Sequence, residues 1–286
     1  MRAFLKLLIS APLPAKVGVC IIVMNLIAAV FAPIIAPYPE TEIIGDVWEG
    51  GFWDDSAPTH DPPALLGTDN LGRDLFTRLI YGARNTIGIA FITTLLAFGV
   101  GISCGFFAAT LRGWVDQVMS RAVDILMAIP TLIFALMILS VLGTSIPVLI
   151  VVIAMLDSTR IYRISRAVAM DIEVMEYVEI AKLRGEGLWW VMRHEILPNT
   201  LAPLVAEFGL RFCFVFLFIA ALSFLGLGLQ PPTADWGSMV RENAGGINFG
   251  IIVPLIPASA IAILTVGVNL VVDWFLHKAS GIRDIN

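Results

Sequence analysis

The sequence is poor in the residues from which metal and redox sites are built. Only 14% of its 286 residues are charged, and it contains three cysteines and three histidines. The cysteines lie singly in apolar runs and form neither a CxxC pair nor a zinc-ligand pattern. The histidines are scattered, and His194-Glu195 is not followed by the second histidine of a metalloprotease motif. We therefore expect this chain to bind no metal and no cofactor.

Motifs for nucleotide binding and for hydrolysis are also missing. Neither GxxxxGKS nor GxxxxGKT is present, so the chain lacks the loop that cradles nucleotide phosphates. No GxSxG nucleophile elbow occurs, and no set of nucleophile, acid and base stands out. Basic blocks interleaved with aromatic residues, which are typical of nucleic-acid binding, are absent as well. These absences predict that the chain is not an enzyme and binds no nucleic acid.

Apolar residues dominate what is present. They make up 58% of the chain, and the mean hydropathy is +0.88. A water-soluble domain of this length could not bury that much apolar surface and stay dispersed. A lipid bilayer is the solvent that accommodates such a surface. The composition therefore predicts an all-α, polytopic membrane protein.

Five apolar runs are long enough to cross a bilayer, which takes roughly 20 residues. They cover residues 17–37, 85–111, 125–156, 201–229 and 251–275. The third run would extend about 48 Å as one helix, which is too long for a single crossing. Gly143 and Pro147 favour two helices joined by a tight turn, so six transmembrane helices are predicted. A signal peptide is the alternative for the first run, but its length favours an uncleaved anchor.

The distribution of basic residues predicts the orientation of the chain. With a cytoplasmic N-terminus and six helices, 13 of the 18 Lys and Arg residues lie on the cytoplasmic side. Both termini are therefore expected in the cytoplasm. Residues 1–37 then form the N-terminus and first helix, residues 38–83 an acidic extracytoplasmic loop, and residues 84–286 a five-helix core. That core contains a cytoplasmic loop at about residues 160–200.

Charged residues inside the predicted spans are candidates for function, because they are costly in lipid. Glu207 and Arg211 are spaced i, i+4 in the order that favours an ion pair, and Asp157 and Arg160 are spaced i, i+3. Local pairing explains both sets most simply. A role along a transport pathway is the alternative for all four residues.

Residues 160–200 are long for a connection that only links two helices. Apolar residues recur at every third position, at Ile172, Met175, Val178 and Ala181. This spacing predicts a short amphipathic helix. Gly185 is a natural end for this helix and Gly187 a second hinge, before another apolar element that starts at Trp189 and Trp190 and is ended by Pro198. The segment is either an interfacial helix on the membrane or a docking element for a soluble partner.

Residues 67–74 are predicted to form a helix that lies at the extracytoplasmic interface of the membrane. Thr68 or Asp69 can cap it, and Leu71, Leu75, Leu79 and Ile80 give it an apolar stripe. Arg73 can pair with Asp69 at i−4. We interpret this segment, with its members Gly67, Asp69, Gly72, Arg73 and Asp74, as a structural elbow; contact with an extracytoplasmic protein is the alternative. Trp236, in an outer loop after the fifth span, is expected at the membrane interface.

Several motifs resemble a known family of transport proteins. Glu179-x-Ala181-x3-Gly185, followed by Leu197-Pro198, resembles the EAA loop of ATP-binding-cassette (ABC) importer permeases, although Ile180 and Glu195 depart from the usual pattern. FAPIIAP (31–37), LGTDNLGRD (66–74), YGAR (81–84), LSFLGLGLQPP (222–232) and DWGSM (235–239) occur in the order found in one subgroup. Together they resemble the C-type permease of the dipeptide, oligopeptide and nickel importers, from about residue 20 to the end.

The resemblance implies a type I importer fold, a bacterial inner membrane and a set of partners. These are a second permease, either a paralogue or an identical copy, two cytoplasmic ATPases that bind ATP and Mg²⁺, and an extracytoplasmic solute-binding protein. It also implies that the cytoplasmic segment couples to the ATPases through Glu179, Ala181, Gly185, Gly187, Leu197 and Pro198. Asn269 and Asp273 match polar positions of the family; they either line the inner mouth of the pathway or anchor the end of the last helix.

The function that these observations favour is that of a permease subunit of an ABC importer for short peptides. Nickel or its chelates, opines and other small solutes are alternative substrates. An ATP-independent channel or a secondary transporter is a distant alternative, because neither would need a cytoplasmic coupling loop.

Overall fold

The computed structural model describes residues 11–53 and 60–279. Every regular element among them is helical, which confirms the predicted all-α class. The helices are α1 (Leu13–Val30), α2 (Ala32–Ile35), α3 (Leu75–Leu111), α4 (Gly113–Ala128), α5 (Thr131–Leu142), α6 (Ile146–Glu173), α7 (Glu176–Leu183), α8 (Leu188–Val191), α9 (Leu197–Phe224), α10 (Trp236–Asn243) and α11 (Leu255–Ala279). A π-helical turn, Met192–Ile196, joins α8 to α9, and a 3-10 helix, Ala244–Phe249, follows α10. Predictions for residues 1–10, 54–59 and 280–286 lie outside the described residues.

In the described part of the chain, four helices are long and apolar enough to cross a membrane: Leu13–Val30, Leu75–Leu111, Leu188–Phe224 and Leu255–Lys278. The pair α4 and α5, bent by 88° at the break between them, is a fifth candidate. The helices that qualify by length and composition therefore number four or five, fewer than the six predicted. The predicted crossing that is not matched is the fourth along the chain, which corresponds to α6. The apolar first half of α6 is followed by Asp157, Arg160 and Arg163 in the same helix. The predicted break in the run 125–156 lies at residues 143–145, between α5 and α6.

The predicted elbow helix over residues 67–74 does not form, because α3 begins only at Leu75. Gly67 and Gly72 have φ angles of +74° and +76°, so the backbone between them turns instead of coiling. Neither Thr68 nor Asp69 caps a helix. The cap is Asp74, whose Oδ2 accepts a hydrogen bond from the Thr77 N–H at 2.7 Å.

The described residues divide into two compact units, of which the first comprises residues up to 91, residues 143–146 and residues 216–274. Within it, α1 and α11 pack closely, because a Cβ at Gly18 would lie 2.5 Å from the carbonyl oxygen of Gly267. The loop before α3 is tied to α10, as Asn243 Oδ1 accepts bonds from Trp48 Nε1 at 3.1 Å and from the Asn70 N–H at 2.9 Å. A polar core therefore organises this loop.

The second unit comprises residues 92–142, residues 147–215 and residues 275–279. Within it, α3 and α6 cross closely at Gly101 and Gly105, where an added Cβ would meet Ile161 and Ser165. The Ser165 hydroxyl donates to the Gly101 carbonyl oxygen at 3.0 Å. A hydrophobic cluster joins α3, α6, α7, α8, the π-helical turn and α9 through Phe106, Ala109, Ala169, Val178, Ala181, Val191, Met192, Ile196 and Leu204.

Candidate functional site

The segment that is predicted to be cytoplasmic and to couple to a partner is built around α7. The predicted single amphipathic helix is divided here, because α6 ends at Glu173 and Met175 is extended, with φ −76° and ψ 144°. The break turns the chain so that Val178 and Ala181 are fully buried in the hydrophobic cluster of the second unit. Met175 stays exposed, and Ile172 packs at the edge of that cluster. The helix is thus docked on the membrane helices of its own unit.

The end of α7 lies where the sequence predicts it. Gly185 has a φ of +85°, its N–H donates to the Lys182 carbonyl at 2.9 Å, and the N–H of Glu186 donates to the Ala181 carbonyl at 3.2 Å. This pair of bonds is a Schellman motif, which satisfies the last carbonyls of a helix and favours glycine at the left-handed position. Gly187, the N-cap of α8, has an ordinary φ of −73°. Of the two glycines, only Gly185 has a left-handed backbone conformation that favours glycine over other residues.

The predicted coupling residues fall into two groups. Glu179, Gly185, Gly187 and Pro198 are exposed. Ala181 is fully buried and Leu197 is partly buried in the same cluster, so both pack inside the chain and present little surface to a partner. The exposed apolar surface is provided instead by side chains that the motif does not name: Val174, Met175, Tyr177, Ile180, Leu183, Leu188 and Trp189. So many exposed apolar side chains within residues 174–189 are typical of an interaction site.

One buried carboxylate ties α7 to two other elements. Glu173, the last residue of α6, accepts a hydrogen bond from Arg112 Nη2 on one oxygen and from Lys182 Nζ on the other. Its side chain is 6% exposed, whereas those of Arg112 and Lys182 are 50% and 38% exposed. Glu173 has no local sequence signal, because neither partner lies three or four residues away in its own helix.

Four charged residues meet in the apolar part of the second unit. The predicted pair of Glu207 and Arg211 is confirmed, with 2.7 Å between Arg211 Nε and Glu207 Oε1. Asp157 Oδ1 lies 3.7 Å from Arg160 Nη1, as the i, i+3 spacing predicts, and 3.6 Å from Arg211 Nη1. Both guanidinium groups lie over the ring of Phe214, at 4.6 Å and 5.4 Å from its centroid. The two predicted pairs therefore form one neutral cluster across α6 and α9.

Comparison with known proteins agrees with this arrangement. Residues 101–278 match the family described as binding-protein-dependent transport system inner membrane component. The chain belongs to this family. It is 33% identical to the dipeptide transport system permease protein DppC of Haemophilus influenzae over 277 residues, which are 94% of this chain and 88% of the relative.

Two further relatives have related names. The di/tripeptide transport system permease protein DppC of Pseudomonas aeruginosa is 33% identical over 274 residues, 93% of this chain and 85% of the relative. The glutathione transport system permease protein GsiD of Pectobacterium atrosepticum is 30% identical over 219 residues, 77% of this chain and 70% of the relative. The predicted family of the permease is therefore confirmed, and with it a location in a membrane.

In this permease, two of the residues assigned to an outer elbow, Asp69 and Arg73, belong to a buried ion network. Asp69 Oδ2 lies 2.8 Å from Arg73 Nε, as predicted, and 3.2 Å from Arg78 Nε. Both arginines also reach Glu242 Oε2 of α10, at 3.0 Å and 3.2 Å. Asp69, Arg73 and Arg78 are buried, so this ring of alternating charges lies inside the first unit and offers little surface for contact. The contact between Arg78 and Glu242 has no local sequence signal, because the two residues lie 164 positions apart.

The prediction that Trp236 lies at the membrane interface is wrong. Its side chain is 1% exposed, its Nε1 donates to the Leu79 carbonyl at 2.9 Å, and its ring packs edge-on against Phe216. The preceding Asp235 caps α10 by accepting the Ser238 N–H at 2.9 Å and also accepts the Thr86 hydroxyl at 2.8 Å. Burial raises the pKa of the Asp235 carboxyl above its ordinary value, although these hydrogen bonds oppose the rise.

Asn269 and Asp273 lie in the C-terminal half of α11, in the first unit. Asn269 is partly buried and Asp273 is exposed. Both expectations for them, lining the inner mouth or anchoring the helix end, stay predictions.

Proposed function

We propose that this permease is the transmembrane subunit of an ATP-driven importer of short peptides and forms half of the translocation pathway. The observation that carries the proposal is the construction of α7. One face of this helix is buried against α3, α6 and α9, and the other presents exposed apolar side chains. A helix held in this way can pass a push from a soluble partner directly to membrane helices.

The same arrangement argues against an autonomous channel or a secondary transporter. Neither would need an exposed apolar ridge beside a sharply terminated helix, because each draws its driving force from the solute or from an ion gradient. An ATPase with a groove for this helix would cover Ile180, Leu183 and Trp189, which are otherwise exposed to water. We therefore place ATP and Mg²⁺ on partner ATPases and no cofactor on this chain.

The complete assembly in this proposal contains four further proteins. These are a homologous second permease, two ATPases below the membrane and a solute-binding protein above it. The permease lies in the bacterial inner membrane with both termini in the cytoplasm, which is the orientation that the Lys and Arg distribution favours. Substrate choice is attributed mostly to the solute-binding protein. Short peptides are proposed because the relatives are named for dipeptide, di/tripeptide and glutathione transport.

Reconstitution tests this function. Proteoliposomes would contain the permease with its partner permease and ATPases, and the uptake of a labelled dipeptide would be followed with and without ATP and binding protein. We expect uptake only when all components and ATP are present, and competition by other dipeptides but not by Ni²⁺. Full-rate uptake by the permease alone would overturn the proposal, and uptake of Ni²⁺ in place of dipeptide would overturn its substrate class.

A further inference from the structure

Glu173 occupies the junction of three cytoplasmic elements of the second unit. It ends α6, it accepts a hydrogen bond from Arg112, which directly follows α3, and it accepts another from Lys182 in the last turn of α7. Of these three side chains, only the carboxylate is buried. A buried charge of this kind requires its partners, while two half-exposed cations could be satisfied by water. The arrangement is therefore built around the carboxylate.

The backbone after α3 is shaped to make this contact. Arg112 has a φ of +50° and is followed by Gly113 with a φ of +62°. A non-glycine residue in the left-handed region is uncommon and persists where the surrounding structure requires it. Here Arg112 and Gly113 form the junction between α3 and α4. With this backbone conformation, the Arg112 guanidinium donates a hydrogen bond to Glu173.

The apolar attachment of α7 is small by comparison. The helix has eight residues, and its fully buried side chains are those of Val178 and Ala181. Two short side chains on one face hold a helix against its neighbours but resist rotation about their contact weakly, since apolar contacts are not directional. The bond from Lys182 to Glu173 acts at the last turn of α7, next to Gly185. It therefore supplies the directional restraint that the apolar contacts lack.

We infer that Glu173 is a positioning residue that makes α7 move as one body with α3 and α6. This inference rests on the proposed function, in which ATPases push on α7. When Glu173 holds both cations, displacement of α7 displaces the ends of two membrane helices. Without that carboxylate, α7 pivots on Val178 and Ala181, and ATP hydrolysis proceeds with less solute moved.

The test uses Glu173→Gln in the assembled transporter. The amide keeps the shape of the side chain but carries no charge, and a donor nitrogen replaces one of the two oxygens that accept from Arg112 and Lys182. We expect the number of solute molecules moved per ATP hydrolysed to fall about five-fold or more, which is the size of a modest coupling between sites. The amount of ATPase that co-purifies should stay near the wild-type level.

A matched control is available in the same unit. Asp116 of α4 forms a two-pronged ion pair with Arg166 of α6 and does not touch α7, with 2.6 Å between Arg166 Nη2 and Asp116 Oδ2. Asp116→Asn makes the same charge change and should leave the ratio of solute to ATP unchanged. Lys182→Gln gives a second check: it should also lower the ratio of solute to ATP, because α7 then loses its bond to Glu173.

A second measurement separates this inference from the proposed function. Amide hydrogen exchange of the purified permease should be faster across α7 in Glu173→Gln than in the wild type or in Asp116→Asn. Unchanged exchange across α7 would overturn the inference, whatever the transport assay shows. An unchanged ratio of solute to ATP in Glu173→Gln, or an equal fall in Asp116→Asn, would overturn it as well. Absence of ATP-driven uptake by the wild type would instead refute the proposed function, while the exchange result would still decide whether Glu173 positions α7.

Discussion

Arg211 is shared between two carboxylates: its Nε lies 2.7 Å from Glu207 Oε1, one turn away in α9, and its Nη1 lies 3.6 Å from Asp157 Oδ1 in α6. Asp157 is 2% exposed, and among the described residues neither of its oxygens has a partner at hydrogen-bonding distance. It therefore depends on the nearby positive charges of Arg211 and Arg160 rather than on close hydrogen bonds.

Replacing Arg211 with leucine should lower the free energy of unfolding by about 3 kcal/mol, because removing one partner of a buried pair leaves an uncompensated charge. Thermal unfolding in detergent would measure the change. The double variant Arg211→Leu with Asp157→Asn should recover more than half of the loss, since the charge that was left behind is gone. If it recovers nothing, Arg211 acts through its packing on Phe214 and the electrostatic account is wrong. Arg163→Leu, an exposed position in α6, serves as the control.

Gly185 and Gly187 form a second matched pair, because a Cβ at either position would meet no atom within 4 Å. They differ in backbone conformation, with φ angles of +85° and −73°. Gly185→Val should strain the end of α7 by about 1–2 kcal/mol and reduce the ATPase that co-purifies with the permease roughly ten-fold. Gly187→Val should reduce it little. Equal losses in the two variants would show that the turn at Gly185 has no special role.

The stability of the first unit should depend on pH through Asp235. Its folded pKa is raised above the ordinary value of 3.8, so its contribution is fully present below pH 3.8 and is lost as the pH rises to the folded pKa. The free energy of unfolding of the wild type, relative to Asp235→Asn, should fall over that interval by at most about 1.4 kcal/mol per pH unit and be constant outside it. Denaturant titrations at several pH values would show this. A difference that does not change with pH would contradict the prediction.

The hydrogen bond from Thr86 offers an internal check on that measurement. The Thr86 hydroxyl donates to Asp235 Oδ1 at 2.8 Å and therefore favours the charged form. Thr86→Val should raise the folded pKa further and extend the interval of falling stability to higher pH. A shift to lower pH would mean that the Thr86 hydroxyl does not stabilise the charged form of Asp235.

Gly82 should tolerate no side chain, whereas Gly88 in the same helix should accept one. A Cβ at Gly82 would lie 2.7 Å from Cδ1 of the buried Trp236, and a Cβ at Gly88 would meet nothing within 4 Å. Gly82→Ala is expected to lower the free energy of unfolding by about 1–3 kcal/mol through overpacking. Gly88→Ala should raise it by up to about 1 kcal/mol, because alanine favours the helix. Thermal unfolding of the two variants side by side measures both effects.

Local patterns were sufficient for much of this molecule. Four of the five apolar runs correspond to helices that are long and apolar enough to cross a membrane, Gly185 marked the end of α7, and the i, i+4 spacing paired Arg211 with Glu207. Each of these features arises within a few residues, where helical geometry and backbone sterics act regardless of the rest of the chain. The family resemblance rests on the same kind of short motif.

Contacts between distant residues required the folded chain. The sequence indicated an amphipathic helix near Ala181 but not that this alanine packs inward or that Glu173 joins Lys182 to Arg112, 61 residues away. Nor did it show that Trp236 is buried or that Arg78 meets Glu242. Which face of a helix is buried, and which charges meet there, depends on the packing of all the helices at once. Packing is a property of the whole chain, whereas propensity and spacing act over a single turn.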